Sequence, residues 1–435
     1  MTTLYNFTGP PGDAANPQGA LALGESGVLY GTAGGGVYGT VFALQPPASP
    51  SGAWTETIIH DFVDLEGGDG PSGGVTIGAH GELYGTSTAG GNYGYECGAV
   101  FQLEPPAADG YWKENVLFLG FRVYNGCQPD GVAIGRDGAL YGTTSIGGPV
   151  SGCLGNGCGT VFNLTPPEPP GAAWTEAVLF DFNGQNGSAP GGGLTIGPRG
   201  EVYGTTFFGG GGTAGTVFEL EPPASPGAGW TQTVLYSFTN ANGDGGGPDA
   251  GVVRAANGTL YGVTQNGGAS GLGTVFELQP PASPGAAWSE NIIYSFSGSD
   301  GAEPEAGLVI GPGPGRQPAL YGTTWYGGSV PCAALGAPPG CGTVFVLTPP
   351  VPGGSWTETV LHSFTGIDGA NPNGALVISL GAGGIPEIYG TTYLGGSSGN
   401  CNAGYPGQGC GTVFQVTLNG NAIRTAPSPP DRPGY

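Results

Sequence analysis

The cysteines carry the plainest chemistry in this sequence. There are eight. Cys158, Cys341 and Cys410 each stand directly before a Gly-Thr-Val-Phe block, and each has a partner shortly upstream, at Cys153, Cys332 and Cys401. Cys97 stands before the related Gly98-Ala99-Val100-Phe101, and Cys127 follows in the next connection. An even count with such spacing reads as disulfides: Cys153–Cys158, Cys332–Cys341, Cys401–Cys410 and Cys97–Cys127. Zinc is the alternative, but its sites want closely spaced pairs with a second pair or histidines near by. Here the pairs fall in different copies of a repeat, and only three histidines exist. Disulfides place the chain in an oxidising compartment.

Acid–base and nucleophilic chemistry has far less support. His60 and His362 occupy a repeat position that other copies fill with Tyr or Phe, as at Tyr236, which reads as packing. His80 lies in a turn. No Gly-x-Ser-x-Gly elbow sits between a strand and a helix. Glu303 and Glu305 have the residue types of a glycosidase or lyase pair, although surface solvation explains them as well. Asp13, Asp69, Asp244, Asp300 and Asp368 recur in the d–a loops, usually before Gly. Calcium would accept such carboxylates. An Asp-Gly turn needs the same residues, because Asp caps its own backbone and Gly accepts positive φ. The spacing lacks the dense Asp-x-Asp-x-Asp of a dedicated calcium loop, so no resident cofactor is expected and calcium stays an option.

Aromatic residues offer a binding chemistry. After the recurring Tyr-Gly-Thr-Thr, three copies continue with aromatics: Phe207-Phe208, Trp325-Tyr326 and Tyr393-Leu394. Tyr93 and Tyr95 lie in an equivalent loop. Rings beside carboxylates suit sugars, whose C–H faces stack on rings while oxygens take the hydroxyls. Phe207, Phe208, Trp325, Tyr326 and Tyr393 are therefore the expected ligand-binding residues. Packing under their own loops is the competing reading.

The elements that must position these residues come from the repeat. The Tyr of Leu-Tyr-Gly-Thr recurs at Tyr30, Tyr84, Tyr141, Tyr203, Tyr261, Tyr321 and Tyr389. The Phe of Gly-Thr-Val-Phe follows at Phe42, Phe101, Phe162, Phe218, Phe276, Phe345 and Phe414. A Pro-Pro pair usually comes next, then a strand opened by Trp54, Trp112, Trp174, Trp230, Trp288 or Trp356. Six tryptophans at one position are packing residues. In the fourth copy the pattern predicts strand a at 193–196, b at 201–206, c at 215–220 and d at 230–238. Four-stranded sheets repeated radially make a β-propeller, here with seven blades. Leu4-Tyr5-Asn6-Phe7 matches Leu235-Tyr236-Ser237-Phe238, so the chain opens inside a strand d. That strand is expected to pair with 411–417, complete the last blade and leave no open edge. In such a blade the b–c and d–a loops share a face, which lets Cys97 reach Cys127 and puts the aromatics and acidic loops beside the disulfides. The propeller is expected to span 1–418, with 419–435 a Pro-rich tail or linker.

Charge narrows the partners. Thirty-one acidic residues against 8 basic ones give a net charge of −23, which repels nucleic acid and anionic membrane. No apolar run of membrane-spanning length exists. Met1-Thr2-Thr3-Leu4 already reads as the interior of a repeat, so an upstream segment is expected to have been removed. Ninety-four glycines and 41 prolines serve as turn residues and leave no room for helices.

The pattern Leu140-Tyr141-Gly142-Thr143-Thr144 with Gly147-Gly148, then Gly159-Thr160-Val161-Phe162, resembles the GloVer (Gloeo/Verruco-type) tandem-repeat family of secreted bacterial proteins, whose members carry varied C-terminal anchors. The resemblance covers nearly the whole chain. It implies export, and it implies no activity.

Together these readings predict a secreted or cell-surface binding module, most plausibly for glycan. A polysaccharide lyase or hydrolase is the alternative, and a structural subunit of an extracellular coat or filament is another. Sequence leaves the ligand and the oligomeric state open.

Overall fold

The computed structural model describes residues 1–418 apart from 36–37, 50–51, 63–68, 91–96, 108–109, 150–152, 154, 170, 226, 284, 314–316, 333–339, 351–353, 382–384, 399–400 and 402–408, and without the side chains of Asp69 and Ser72. The expected tail and the loop tyrosines Tyr93 and Tyr95 lie outside the described residues.

Seven four-stranded antiparallel sheets form a seven-bladed propeller. In blade four, strand a is Ser188–Ile196, b is Val202–Phe208, c is Thr216–Glu221 and d is Thr231–Ser237. Blade seven is assembled from both ends of the chain. Val377–Leu380, Pro386–Thr392 and Thr412–Thr417 supply a to c, and Thr2–Asn6 supplies d. The register sets Thr3 opposite Phe414 and Asn6 opposite Thr412. The N-terminal strand therefore closes the ring as the repeat pattern requires. A single 3-10 turn at Glu25–Gly27 is the only helical element among the described residues.

Strand a begins earlier than the hydrophobic pattern suggests, at Ser188 rather than at 193. Pro190 hides this extension, because proline normally argues against a strand. Strand a is the inner edge, so its proline removes no ladder donor that the sheet needs.

Each repeated residue has a packing reason. The Phe of strand c meets the last Phe of the preceding blade's strand d, edge to face at 5.1–5.2 Å, in all seven seams from Phe7–Phe42 to Phe364–Phe414. The Gly of Tyr-Gly-Thr makes room for that ring: a Cβ on Gly204 would stand 2.6 Å from Phe218 Cζ. The strand-d tryptophans cross the same seams. Each packs on the strand-b Tyr of the preceding blade at 5.8–6.5 Å, with Trp54–Tyr389 joining blades one and seven. Edge-to-face pairs of this kind add about 0.5–1.5 kcal/mol each beyond area burial. His60 and His362 stack edge-on against Phe62 and Phe364, as Tyr236 does against Phe238.

Candidate functional site

The disulfides fix which loops share a face. Cys97–Cys127, Cys153–Cys158, Cys332–Cys341 and Cys401–Cys410 are bonded, with Cα separations of 4.4, 5.3, 4.9 and 5.0 Å. The first pair joins a b–c loop to a d–a connection, so both loop types emerge together. Loop-closure entropy ranks the bonds: about 3.5 kcal/mol for the 30-residue separation of Cys97–Cys127, against about 2 kcal/mol for the 5-residue separation of Cys153–Cys158. Replacing both cysteines by Ser should therefore lower the denaturation midpoint more for the first pair than for the second. Equal midpoints would contradict that ranking.

The aspartates of the d–a loops close their own turns. Asp13 accepts the Thr8 N–H at 2.7 Å and its hydroxyl at 2.6 Å. Asp244, Asp300 and Asp368 do the same with Thr239, Ser297 and Thr365. His362 Nε2 bonds Asp368 at 2.8 Å. Among the described residues no group of three or more His, Cys, Asp and Glu side chains is arranged to hold a metal.

The predicted aromatics fall into two groups. Phe207 and Phe208 meet edge to face at 4.6 Å. Trp325 lies 5.9 Å from Tyr393 at a 34° tilt and 6.3 Å from Tyr326. Phe208 is 56% exposed, while the other four rings are half-buried.

A ring of variable residues at the channel mouth escaped sequence reasoning. Each blade carries a proline in strand a or in the approach to it, and the residue after that proline is Gln18, Ser72, Asp130, Gly191, Asp249, Glu305 and Asn373 in blades one to seven. The backbone before each proline is left-handed, with φ of 52–67° at Asn16, Gly70, Gln128, Ala189, Gly247, Glu303 and Asn371. Glycine and asparagine visit this conformation readily, whereas Gln128, Ala189 and Glu303 adopt it only when their surroundings compel it. The compulsion is a seam hydrogen bond: Asn16 N–H donates to Cys410 O at 2.7 Å and Gln128 N–H to Cys97 O at 2.9 Å, with counterparts in every blade. The proline then packs on the neighbouring blade's Gly-Thr-Val-Phe glycine. A Cβ on Gly411, at φ +88°, would stand 2.6 Å from Pro17 Cδ. This clamp turns the next residue toward the channel.

Gln18, Asp130, Asp249, Glu305 and Asn373 line a central cavity of about 480 Å³. A second cavity, of about 470 Å³, shares Asp130 and Asp249 with it and is also lined by Gln128, Ser145, Gly191, Phe207 and Phe208. The described residues lining both cavities include no Lys, Arg or His. Asp130 Oδ2 accepts the Gly192 N–H at 3.2 Å. Burial, and then the Asp130 carboxylate, push the Asp249 carboxyl up to about 6. Burial likewise raises Glu305 to about 7, with Asp249 and Glu303 adding to it and a Gln265 hydrogen bond of 2.7 Å working against it. Glu305 thus faces the channel, while Glu303 is one of the left-handed clamp residues. The usable signal in the sequence was the one variable position after an otherwise repeated proline.

Comparison with known proteins settles the repeat. Residues 1–168 match the Gloeobacter/Verrucomicrobia repeat. That stretch of the chain carries this family's repeat. No curated protein matches it. Among solved structures, a polysaccharide lyase, an ulvan lyase, gives a TM-score of 0.53 at 10% identity, covering 98% of this chain and 100% of that one. The same lyase bound to -[GlcA(1-4)Rha3S]- gives 0.51 with equal identity and coverage. A PQQ-bound aldose sugar dehydrogenase from Streptomyces coelicolor gives 0.41 at 14% identity, covering 96% and 98%. At such identities the lyase likeness shows the propeller fold alone.

Proposed function

We propose that this Gloeobacter/Verrucomicrobia-repeat propeller is a secreted or cell-surface binding module that takes glycan on its disulfide-bearing face. The observation that carries the reading is the cavity where the exposed Phe208 and its neighbour Phe207 stand beside Asp130, Asp249, Gln128 and Ser145. A pyranose presents a C–H face and a rim of hydroxyls, and this lining offers rings for one and polar acceptors for the other. Uronates and sulfated sugars would meet Asp130, Asp249 and Glu305 in cavities whose described lining residues include no Lys, Arg or His. The expected ligand is therefore neutral or basic. Four disulfides support an extracellular setting.

One observation favours a second reading. Burial and the neighbouring Asp130 push the Asp249 carboxyl up to about 6, and a raised carboxyl beside a second acidic side chain is an arrangement that glycoside hydrolysis uses. A glycan array read alongside reducing-end release separates the two. Binding without turnover, weakened about tenfold by Phe208→Ala, is expected, tenfold being the cost of a stacking contact of about 1.4 kcal/mol. Turnover, or binding indifferent to Phe208→Ala, would overturn the binding-module reading.

A further inference from the structure

Blade four breaks the polar ring. It carries Gly191 where the neighbouring blades place Asp130 and Asp249. A Cβ on Gly191 would stand 3.2 Å from the Asp249 carbonyl oxygen and 3.6 Å from its Oδ1, so any longer side chain would fill the gap beside that carboxyl. Phe207 and Phe208 line the same gap. Resting on the glycan reading above, we infer that this gap selects a sugar bearing a free amino group, a 2-amino-2-deoxyhexose in preference to its N-acetylated form.

Three observations converge on an organic cation. Two carboxyls, from the blades on either side of blade four, face one cavity, and none of its described lining residues is basic. Burial and Asp130 both disfavour charge on Asp249, and no hydrogen bond or cation among the described residues offsets them. An ammonium set between the two carboxyls would supply charge-assisted hydrogen bonds to both. A metal ion is the poorer match, since no group of three or more suitable side chains gathers among the described residues. The aromatic pair separates a sugar from a lysine side chain. A rigid pyranose holds its amine a fixed distance from a C–H face, so ring and carboxyls are engaged together, whereas a flexible lysine stem loses rotamer freedom to do the same.

The test uses the full chain and calorimetric titration with three probes: a β-1,4-linked glucosamine tetramer, its fully N-acetylated counterpart, and tetralysine. The amino tetramer should bind at least tenfold more tightly than the acetylated one at low salt. Asp249→Asn and Asp130→Asn should each bring the ratio of the two affinities down to about threefold or less, whatever each variant loses in affinity for the acetylated tetramer itself. Gly191→Ala narrows the gap without removing a charge and should reduce the preference as well, and an unchanged unfolding midpoint would show that each variant folds. Equal binding of the two tetramers to the wild-type protein would overturn the inference; acetylated-tetramer binding that still depends on Phe208 would leave the glycan reading standing. Tetralysine binding as tightly as the amino tetramer, and insensitive to Phe208→Ala, would replace the sugar with a basic peptide. Binding of none of the probes would overturn both readings.

Discussion

Removal of residues 1–7 is expected to unfold the ring, and a peptide of those residues is expected to restore it. Thr2–Asn6 is the outer strand of blade seven, paired along Thr412–Thr417. Without it, Thr412–Thr417 becomes an open edge with unsatisfied backbone groups. Phe7, fully buried, packs on Phe42 at 5.1 Å and so ties blade seven to blade one. Truncating one buried Phe typically costs about 3–5 kcal/mol, comparable with much of the 5–15 kcal/mol that usually separates folded from unfolded chains. Loss of the whole strand should exceed that. Thermal unfolding of the truncated protein should shift down by more than about 10 °C or become uncooperative, and added peptide should raise the midpoint in a saturable way. A truncated protein with the native midpoint would refute closure by this strand.

Stability should rise as the solution is acidified from neutral pH. Glu56, Glu290 and Glu358 occupy one strand-d position in three blades. Burial first, and then Asp13, Asp244 and Asp300 respectively, lift each carboxyl to about 7 from an ordinary 4.5. In each, Oε1 has no hydrogen-bond partner among the described residues. A raised folded-state affinity means that the folded protein holds protons which the unfolded chain releases between pH 4.5 and 7. Stability from these groups is therefore full below 4.5 and lost as pH rises through 7. The net charge of −23 works in the same direction through self-repulsion. The opposite trend begins only in stronger acid. Burial works against ionisation of Asp368, yet the hydrogen bonds from His362 and Thr365 hold it down to about 2, so its contribution is lost as pH falls from 3.8 through 2. The triple variant Glu56→Gln, Glu290→Gln and Glu358→Gln should unfold at a higher temperature than wild type at about pH 8 and show a flatter pH profile between about 5 and 7. An unchanged slope would mean that these seams do not titrate.

Sequence carried the scaffold because packing repeats. Seven seams use the same Phe, Tyr and glycine positions, and those glycines are fixed by what a Cβ would strike at Gly204 or Gly411. The four cysteine pairs were legible for a related reason, since loop length and blade geometry leave each one near neighbour. The site was only half legible. Variable aromatics point to the disulfide-bearing face, and Phe207-Phe208 lie in a cavity there. What sequence could not give was proximity around the ring, which brings Trp325 to 5.9 Å from Tyr393 in the next blade. Nor could it show that left-handed backbone before each proline aims the following residue at the channel. Asp130 and Asp249 lie 119 positions apart and meet only because three consecutive blades converge on one axis.

The central claim is that the mouth of this propeller binds glycan at blade four. A crystal structure of the full chain soaked with the amino or acetylated tetrasaccharide tests it most directly. A sugar ring stacked on Phe208, with polar contacts to Asp130 and Asp249, is the predicted result. The contradicting result is sugar density only on the opposite face, for instance in the groove beside His80, Tyr111 and Trp112, with the gap at Gly191 empty.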